Sequence, residues 1–340
     1  MRSTHQNAAL NVGKFVMALL VVAIHTRPAD SLPPAFGPLF DSVSRFAVPF
    51  FFLCTGFLLG QRMEQPAGCA RNLDMLKLRI KKLTGLYLFW TVLYLPPAVL
   101  HYRDMGLTFR AAAGMYLRWL FLVDEHYNSW MLWYLLSSIY GLCMIFLILK
   151  FTGSERLVWA CGLVCMALSL WFDALIDGGV IPPGIPGQVD RLVDATILNG
   201  RLLRGFFYLP FGMLLAKRLP RPAAAAALLA AGLAGAWALR AVPMAGGLCF
   251  VAADLGLFAL TAQLPLRDRP FFRALRTASS VVYFTHMYLW MFWYTVTGRG
   301  LTYGMPAFLW TTGLSLLAAA LYLALRAAWG RRSARLKAAA

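Results

Sequence analysis

The stretch from Asn11 to Pro28, NVGKFVMALLVVAIHTRP, decides how the rest of the chain is interpreted. It is a nearly continuous apolar run that predicts a helix, with Lys14 near its start and His25 near its end. At about 100° per residue, these two side chains lie within about 20° of each other and about 16 Å apart along the axis. Ionisable groups inside a membrane helix are costly unless a polar interior receives them, so one interpretation is a functional site. The other is that Lys14 extends to the near interface and His25 marks the far end of the helix.

The composition places this helix in a membrane protein. The chain has 340 residues, of which 60% are hydrophobic and 14% charged, and its mean hydropathy is +0.64. A soluble domain carries about 25% charged residues. Several apolar runs approach the length that crosses a bilayer, and they are continuous rather than alternating. We therefore predict an all-α, polytopic membrane protein with one domain over residues 1–340, which ends in a basic tail at 327–340.

Hydropathy and charge predict the topology. The apolar segment 111–123 is too short to span and predicts an interfacial or re-entrant piece. If the N-terminus is inside, 21 Lys and Arg lie on the cytoplasmic side and 10 on the other, so both termini are predicted to be cytoplasmic. The first helix is predicted to be retained, because Lys14 abuts it and no A-x-A cleavage site follows. The ten predicted spans are 8–26, 43–61, 83–100, 129–149, 157–173, 202–216, 223–240, 247–264, 278–296 and 306–326.

The distribution of charge and cysteine excludes two other classes of protein. The net charge of +18 comes from short basic connections between apolar runs, without a nucleic-acid-binding motif, so no nucleic-acid partner is expected. The six cysteines form no CxxC pair, and no HExxH or phosphate-binding glycine motif is present, so no metal site is predicted.

Two histidines could act as a base. His25 is the better candidate, because a partly buried neutral imidazole can take a proton from a hydroxyl. Thr26 and Asp30 could orient its ring, or they could simply form a surface turn. His286 lies in the ninth span, three residues after Tyr283, and could be either a structural or a catalytic histidine.

Basic and aromatic residues offer sites for two substrates. Arg79 and Lys82 precede Tyr87 and form either a positive-inside anchor or a site for coenzyme phosphates. Trp130, Trp133 and Tyr134 form either an interfacial aromatic belt or a stacking platform for a sugar or other acceptor.

Three further features have an open interpretation. Gly56 suits close packing of the second span. Asp254, within the eighth span, requires a partner, for which a basic residue of the sixth span or a polar cavity could serve. The acidic segment 172–201 is either a solvated loop or a lid over an outward-facing cleft.

These motifs, in this order, resemble the acyltransferase 3 family of integral membrane acyltransferases. That family has a basic residue, ten intervening positions and a histidine in its first helix, as Lys14 and His25 do, although arginine is commoner at the first position. Its FF-x-x-S-G-F/Y-L pattern matches Phe51 to Leu58 with threonine for serine, and its Ser-x-x-x-Tyr-x-x-His element matches Ser279 to His286. Its H-L-W-F/Y-L element falls on Met131 to Leu135, so the histidine is missing here.

The resemblance extends over essentially the whole chain. It is greatest to short stand-alone members such as the enterobacterial-antigen O-acetyltransferases and the membrane part of vancomycin-resistance serine racemases. It implies a ten-helix protein of the bacterial inner membrane that transfers an acyl group, usually acetyl from acetyl-CoA, to a hydroxyl of a carbohydrate, lipid-linked glycan or small molecule. Acyl-CoA would bind near Arg79 and Lys82, its thioester would reach a pore lined by Lys14, and His25 would act as base.

Three other classes compete with this interpretation. A transporter or flippase of a lipid or glycan could use the same intramembrane charges, although the sequence shows no inverted repeat. The other large family of membrane-bound O-acyltransferases also uses an intramembrane histidine, but the spacing of Lys14 and His25 argues against it. A sensory or structural module of the kind that is fused to racemases would have recognition as its only activity.

Overall fold

The structure, a computed structural model, describes residues 2–121, 129–177, 201–298 and 301–339. Over these residues the chain is helical and contains no strand, as predicted. Short 3₁₀ turns cover Pro28–Ser31 and Trp130–Leu132. The helices are α1 (Arg2–Thr26), α2 (Phe36–Ser44), α3 (Ala47–Gly60), α4 (Ala70–Leu93), α5 (Leu95–Asp104), α6 (Phe109–Phe121), α7 (Trp133–Thr152), α8 (Glu155–Asp177), α9 (Arg201–Lys217), α10 (Pro222–Ala238), α11 (Pro243–Ala262), α12 (Pro270–Thr297) and α13 (Met305–Ala339).

Six helical stretches in the described part of the chain are long and apolar enough to cross a membrane. A seventh is added if α4 and α5, which are bent by 46° at their break, form one span. Each of the ten predicted spans falls on a helix, but three of those helices do not meet this criterion. They are α9 and α10, with 17 residues each, and α12, with 28 residues but a more polar sequence. The multi-pass architecture is confirmed, and the count of ten stays a prediction.

The chain divides into two compact units, residues 1–48 with 261–340 and residues 49–260. In the first unit, α12 packs against both α1 and α13, and α1 also contacts α13. The buried positions of α12 recur with helical spacing, so one face of this helix lies in the interior of the unit. That buried face contains Ser279, Val282, Tyr283, His286, Met287 and Trp290.

The second unit is held together by close helix crossings. Helix α9 packs against α7 and α8, and α4 packs against α7. A Cβ atom at Gly56 would overlap the backbone carbonyl of Leu209, and one at Gly212 would overlap the carbonyl of Leu53. Helices α3 and α9 can approach this closely only because glycine stands at both positions, which confirms the packing role predicted for Gly56.

The segments between the spans are described in part. Helix α6 has 13 residues, too few to cross a bilayer, in agreement with the prediction for 111–123. The predicted start of the loop 172–201 was wrong, because α8 continues to Asp177. Within this part of α8, Asp173 forms an ion pair with Arg204 at 3.6 Å. Residues 122–128 and 178–200 lie outside the described residues.

Candidate functional site

The imidazoles of His25 and His286 lie side by side in the first unit. Their ring centroids are 5.3 Å apart and the ring planes are inclined by 31°. His25 is half-buried near the end of α1, whereas His286 is completely buried in the middle of α12. The sequence analysis named each histidine separately as a possible base, and the packing of α1 against α12 brings the two together.

The hydrogen bonds of His286 indicate which of its ring nitrogens carries a proton. Its Nδ1 lies 2.7 Å from the carbonyl oxygen of Tyr283 and 3.2 Å from that of Val282. A carbonyl oxygen can only accept, so Nδ1 carries the proton and donates it. In the neutral ring, Nε2 then carries a lone pair. This atom is buried and has no hydrogen-bond partner among the described residues, so it can accept a hydrogen bond from a group that enters the site.

Lys14 and Tyr283 belong to the same unit. Lys14 is half-buried on α1, which is one continuous helix through both predicted residues, so the shared face of Lys14 and His25 is retained. The Tyr283 side chain is 5% exposed, and its ring centroid lies 6.3 Å from that of His286.

Helix α1 ends directly after His25 in an unusual cap. Arg27 adopts a left-handed conformation with φ of 49°, and its amide donates to the carbonyl of Ala23. The Thr26 hydroxyl donates to the Val22 carbonyl, and Asp30 pairs with Arg27 at 3.2 Å. Both side chains therefore belong to the cap, and these contacts favour the surface turn over the idea that they orient the His25 ring.

A cleft opens next to this cap. Its volume is about 390 Å³, and it is lined by Ala29, Asp30, Leu32, Pro34 and Gly37. Except for the Asp30 carboxylate, this lining is small or apolar. The cleft begins four residues after His25 on the segment that leaves α1.

Residues 302–305, which lead from the connection after α12 into the start of α13, were not singled out by the sequence. The amide of Gly304 donates to the carbonyl of Thr26 at 2.8 Å, and the amide of Met305 donates to the hydroxyl oxygen of Ser31 at 2.8 Å. The indole of Trp290 donates to the carbonyl of Thr302 at 2.8 Å. The signals that could have indicated this segment are Gly304 in a short connection and a tryptophan one turn beyond His286.

The predicted donor residues lie in the second unit. Arg79 and Lys82 are exposed on α4, three residues apart and therefore on one side of the helix. Tyr87 is 3% exposed, and its hydroxyl donates to the carbonyl of Leu120 at 2.6 Å. The Tyr87 side chain thus connects α4 to α6.

The predicted aromatic platform, also in the second unit, is partly covered. The Trp133 and Tyr134 rings lie 6.0 Å and 4.7 Å from the ring of Phe52. The Tyr134 hydroxyl lies 3.2 Å from that of Thr55. Trp130 and Trp133 are half-buried, as is Tyr134, so each retains some exposed surface.

Asp254 has a partner that the sequence did not predict. Its carboxylate accepts a hydrogen bond from the hydroxyl of Tyr208 on α9. This partner lies in the sixth span, but the group is a tyrosine rather than the basic side chain that was considered there. Among the described residues, no three His, Cys, Asp or Glu side chains are grouped so that they could hold a metal ion.

Comparison with known proteins identifies the family. A family model described as an acyltransferase domain matches residues 7–335, nearly the whole chain. A segment of 155 residues is 30% identical to an amino-acid racemase of Enterococcus faecalis. This segment covers 45% of this chain and 21% of that protein. A segment of 217 residues is 29% identical to a serine/alanine racemase of Enterococcus gallinarum. This segment covers 63% of this chain and 30% of that protein. The match thus spans less than a third of the length of either relative.

No solved structure matches the chain. The family match covers both histidines as well as the helices that are long and apolar enough to cross a membrane. The chain is therefore a multi-pass membrane protein of the acyltransferase 3 family.

Proposed function

We propose that this acyltransferase moves an acyl group, acetyl in the simplest case, from cytoplasmic acyl-CoA to a hydroxyl of a carbohydrate, lipid-linked glycan or small molecule. The observation that carries the proposal is the His25–His286 pair, in which a half-buried imidazole lies 5.3 Å from a buried one. A hydroxyl is a weak nucleophile at neutral pH and reacts with a thioester faster when a base removes its proton.

His25 acts as that base in our proposal. Its imidazole takes the proton of the acceptor hydroxyl while the oxygen attacks the thioester carbonyl. The carbon–sulfur bond then breaks, and coenzyme A leaves as a thiolate that takes up the proton from His25. The unpartnered Nε2 of His286 supports an acceptor-binding role, since it can receive a hydrogen bond from a second donor group of the acceptor. Tyr283 contributes the carbonyl that fixes the His286 ring.

The remaining predicted residues take the supporting roles. Arg79 and Lys82 bind the coenzyme phosphates through charge-assisted hydrogen bonds, with Tyr87 shaping α4 beneath them. Lys14 holds an anionic group at the cytoplasmic end of α1. The exposed parts of Trp130, Trp133 and Tyr134 stack on a sugar. The protein lies in the bacterial inner membrane, with ten spans and both termini in the cytoplasm.

The direct test is transfer of label from radioactive acetyl-CoA by purified protein in vesicles. The acceptors offered would include a simple sugar and a lipid-linked glycan, together with serine and alanine because of the names of the racemase relatives. A general base contributes about 10²–10⁴-fold to rate, so His25→Ala should abolish measurable transfer, and His25→Gln should be nearly as inactive. Full activity of His25→Ala would remove His25 as catalyst and leave His286 as the next candidate.

The same assay tests donor binding. Neutralising Arg79 and Lys82 as glutamine should raise the KM for acyl-CoA, since each lost charge-assisted contact costs about 1.5–3 kcal/mol. Lys77→Gln is the matched control on the same helix, because Lys77 pairs with Asp74 at 3.1 Å. An unchanged donor KM would return Arg79 and Lys82 to the role of topology anchors. Movement of a glycan or lipid across the vesicle membrane without covalent label would favour the transporter.

A further inference from the structure

Contacts beyond the two side chains connect the helices that carry His25 and His286. The residues stand on different helices, and His25 is the penultimate residue of α1. The last carbonyls of a helix have no partner within it and must be satisfied from elsewhere. Here the amide of Gly304 supplies a partner for the carbonyl of Thr26, the residue next to His25.

The same short segment is also bonded to α12. Trp290, one helical turn beyond His286, is 3% exposed, and its indole nitrogen donates to the carbonyl of Thr302. Its ring lies 5.8 Å from that of Tyr303, and the Arg27 guanidinium lies 5.3 Å from the centre of the same Tyr303 ring. Residues 302–305 therefore contact the turn after His25 and the turn after His286.

Gly304 is required at the centre of this arrangement. Its φ of +102° lies in the region that favours glycine, and a Cβ atom there would overlap the hydroxyl oxygen of Ser31. That oxygen accepts the amide of Met305, so the 3₁₀ turn after α1 and the start of α13 are joined at the same place. Any other residue at position 304 would be strained by this φ, and its Cβ atom would displace the Ser31 hydroxyl from the Met305 amide.

We propose that residues 302–305 form a clamp that sets the position of the His25 imidazole against His286, and that Gly304 and Trp290 are its positioning residues. The clamp acts by holding the C-terminal end of α1 against α12, and the inference rests on the proposed role of His25 as base. Misplacement of a reacting group by about 1 Å can cost on the order of 10²-fold in rate.

Two mild variants test the clamp. Trp290→Phe retains an aromatic ring but removes the donor to Thr302, and Ser31→Ala removes the acceptor for Met305 at an exposed position. Gly304→Ala is the severe variant. The matched controls are Trp293→Phe, which loses a bond to Leu301 just outside the clamp, and Gly313→Ala, where a Cβ atom meets nothing within 4 Å.

Two readouts separate the clamp from the reaction. We expect Trp290→Phe to lower kcat about 10- to 100-fold with an unchanged KM for acyl-CoA, and Ser31→Ala to lower it severalfold. Both should raise hydrogen–deuterium exchange in residues 22–31, while the controls change neither quantity. If both variants kept wild-type kcat and wild-type exchange, the clamp would be overturned. The proposed function would still stand in that case, provided that His25→Ala is inactive. Raised exchange with wild-type kcat would overturn the positioning role of the clamp, and an active His25→Ala would overturn the proposed function itself.

Discussion

His286 carries two nitrogen atoms with different tasks, and substitutions can separate them. Asparagine places its amide nitrogen near the position of Nδ1 and can still donate to Tyr283, whereas glutamine reaches the position of Nε2. If Nε2 contacts the acceptor, glutamine can present an oxygen that accepts the same hydrogen bond. If the histidine is only structural, the donor at Nδ1 is the atom that matters.

We expect His286→Gln to retain more activity than His286→Asn, and His286→Asn to be the more stable of the two. The lost hydrogen bond to the Tyr283 carbonyl should cost His286→Gln about 0.5–1.5 kcal/mol of unfolding free energy. Thermal unfolding and the initial rate of acyl transfer measure the two effects on the same preparations. A more active asparagine variant would assign His286 to structure alone.

The relation between residues of one helix follows from the sequence more readily than their partners on other helices do. Lys14 and His25 stand on one helix, so their relation follows from helical spacing. The contact of His25 with His286 and that of Tyr208 with Asp254 each join helices far apart in the chain. Such contacts depend on which helices pack together, and local periodicity carries no information about that choice. For this reason the sequence left two possible partners for Asp254, a basic side chain of the sixth span and a polar cavity.

At the scale of helices, the glycine contacts decide which elements can approach closely. A Cβ atom at Gly56 meets the Leu209 backbone, which cannot move without displacing α9. We expect Gly56→Ala to destabilise the protein by about 1–3 kcal/mol through overpacking. Gly85 in the middle of α4 is the control, because a Cβ atom there meets nothing within 4 Å.

Gly85→Ala should be neutral or stabilising by up to about 1 kcal/mol, the difference in helix propensity between the two residues. Denaturant titration in mild detergent would compare both variants with the wild type. Equal stability of the two variants would contradict the close α3–α9 crossing.

The predicted spans do not give the bounds of the helices that contain them. The third span was predicted over 83–100, but α4 begins at Ala70, and a 46° bend separates it from α5. The cause of the bend is visible in the sequence, because Pro96 and Pro97 lie in the first turn of α5 and a proline within a helix removes a backbone hydrogen bond. The basic residues before position 83 lower the hydropathy of the first turns of α4, so these turns were not included in the predicted span.

For the molecule as a whole, the number of spans stays a prediction, because six or seven stretches of the described residues are long and apolar enough to cross a membrane and the sequence predicts ten spans. Helix α12 is 28 residues long, enough for a span, but serines, threonines and a histidine lower its hydropathy. These polar residues lie partly on its buried face, against α1 and α13. A helix in the interior of a bundle can be polar because its neighbours, rather than lipid, surround it. Its low hydropathy is therefore compatible with a span.

A topology measurement decides between ten spans and seven. With the N-terminus inside, ten spans place both the connection 218–221 and the C-terminus in the cytoplasm. If α9, α10 and α12 do not cross, the remaining seven spans place both positions outside. Arg218 and Arg221, with Lys217 before them, favour the cytoplasmic location of this connection by the positive-inside rule.

Reporter fusions at 218–221 and at the C-terminus should therefore both read as cytoplasmic, and a fusion after Arg71 serves as the cytoplasmic control in either case. A fusion within 178–187 should read as external, because it follows the fifth span in both arrangements. A cytoplasmic 218–221 with an external C-terminus would leave α9 as a span and remove either α10 or α12. A further fusion at 267–269 separates these two cases, because this connection is cytoplasmic if α10 crosses and external if it does not. If α12 is the helix removed, His286 would not lie at membrane depth, and the proposed acceptor site would lie at the membrane surface.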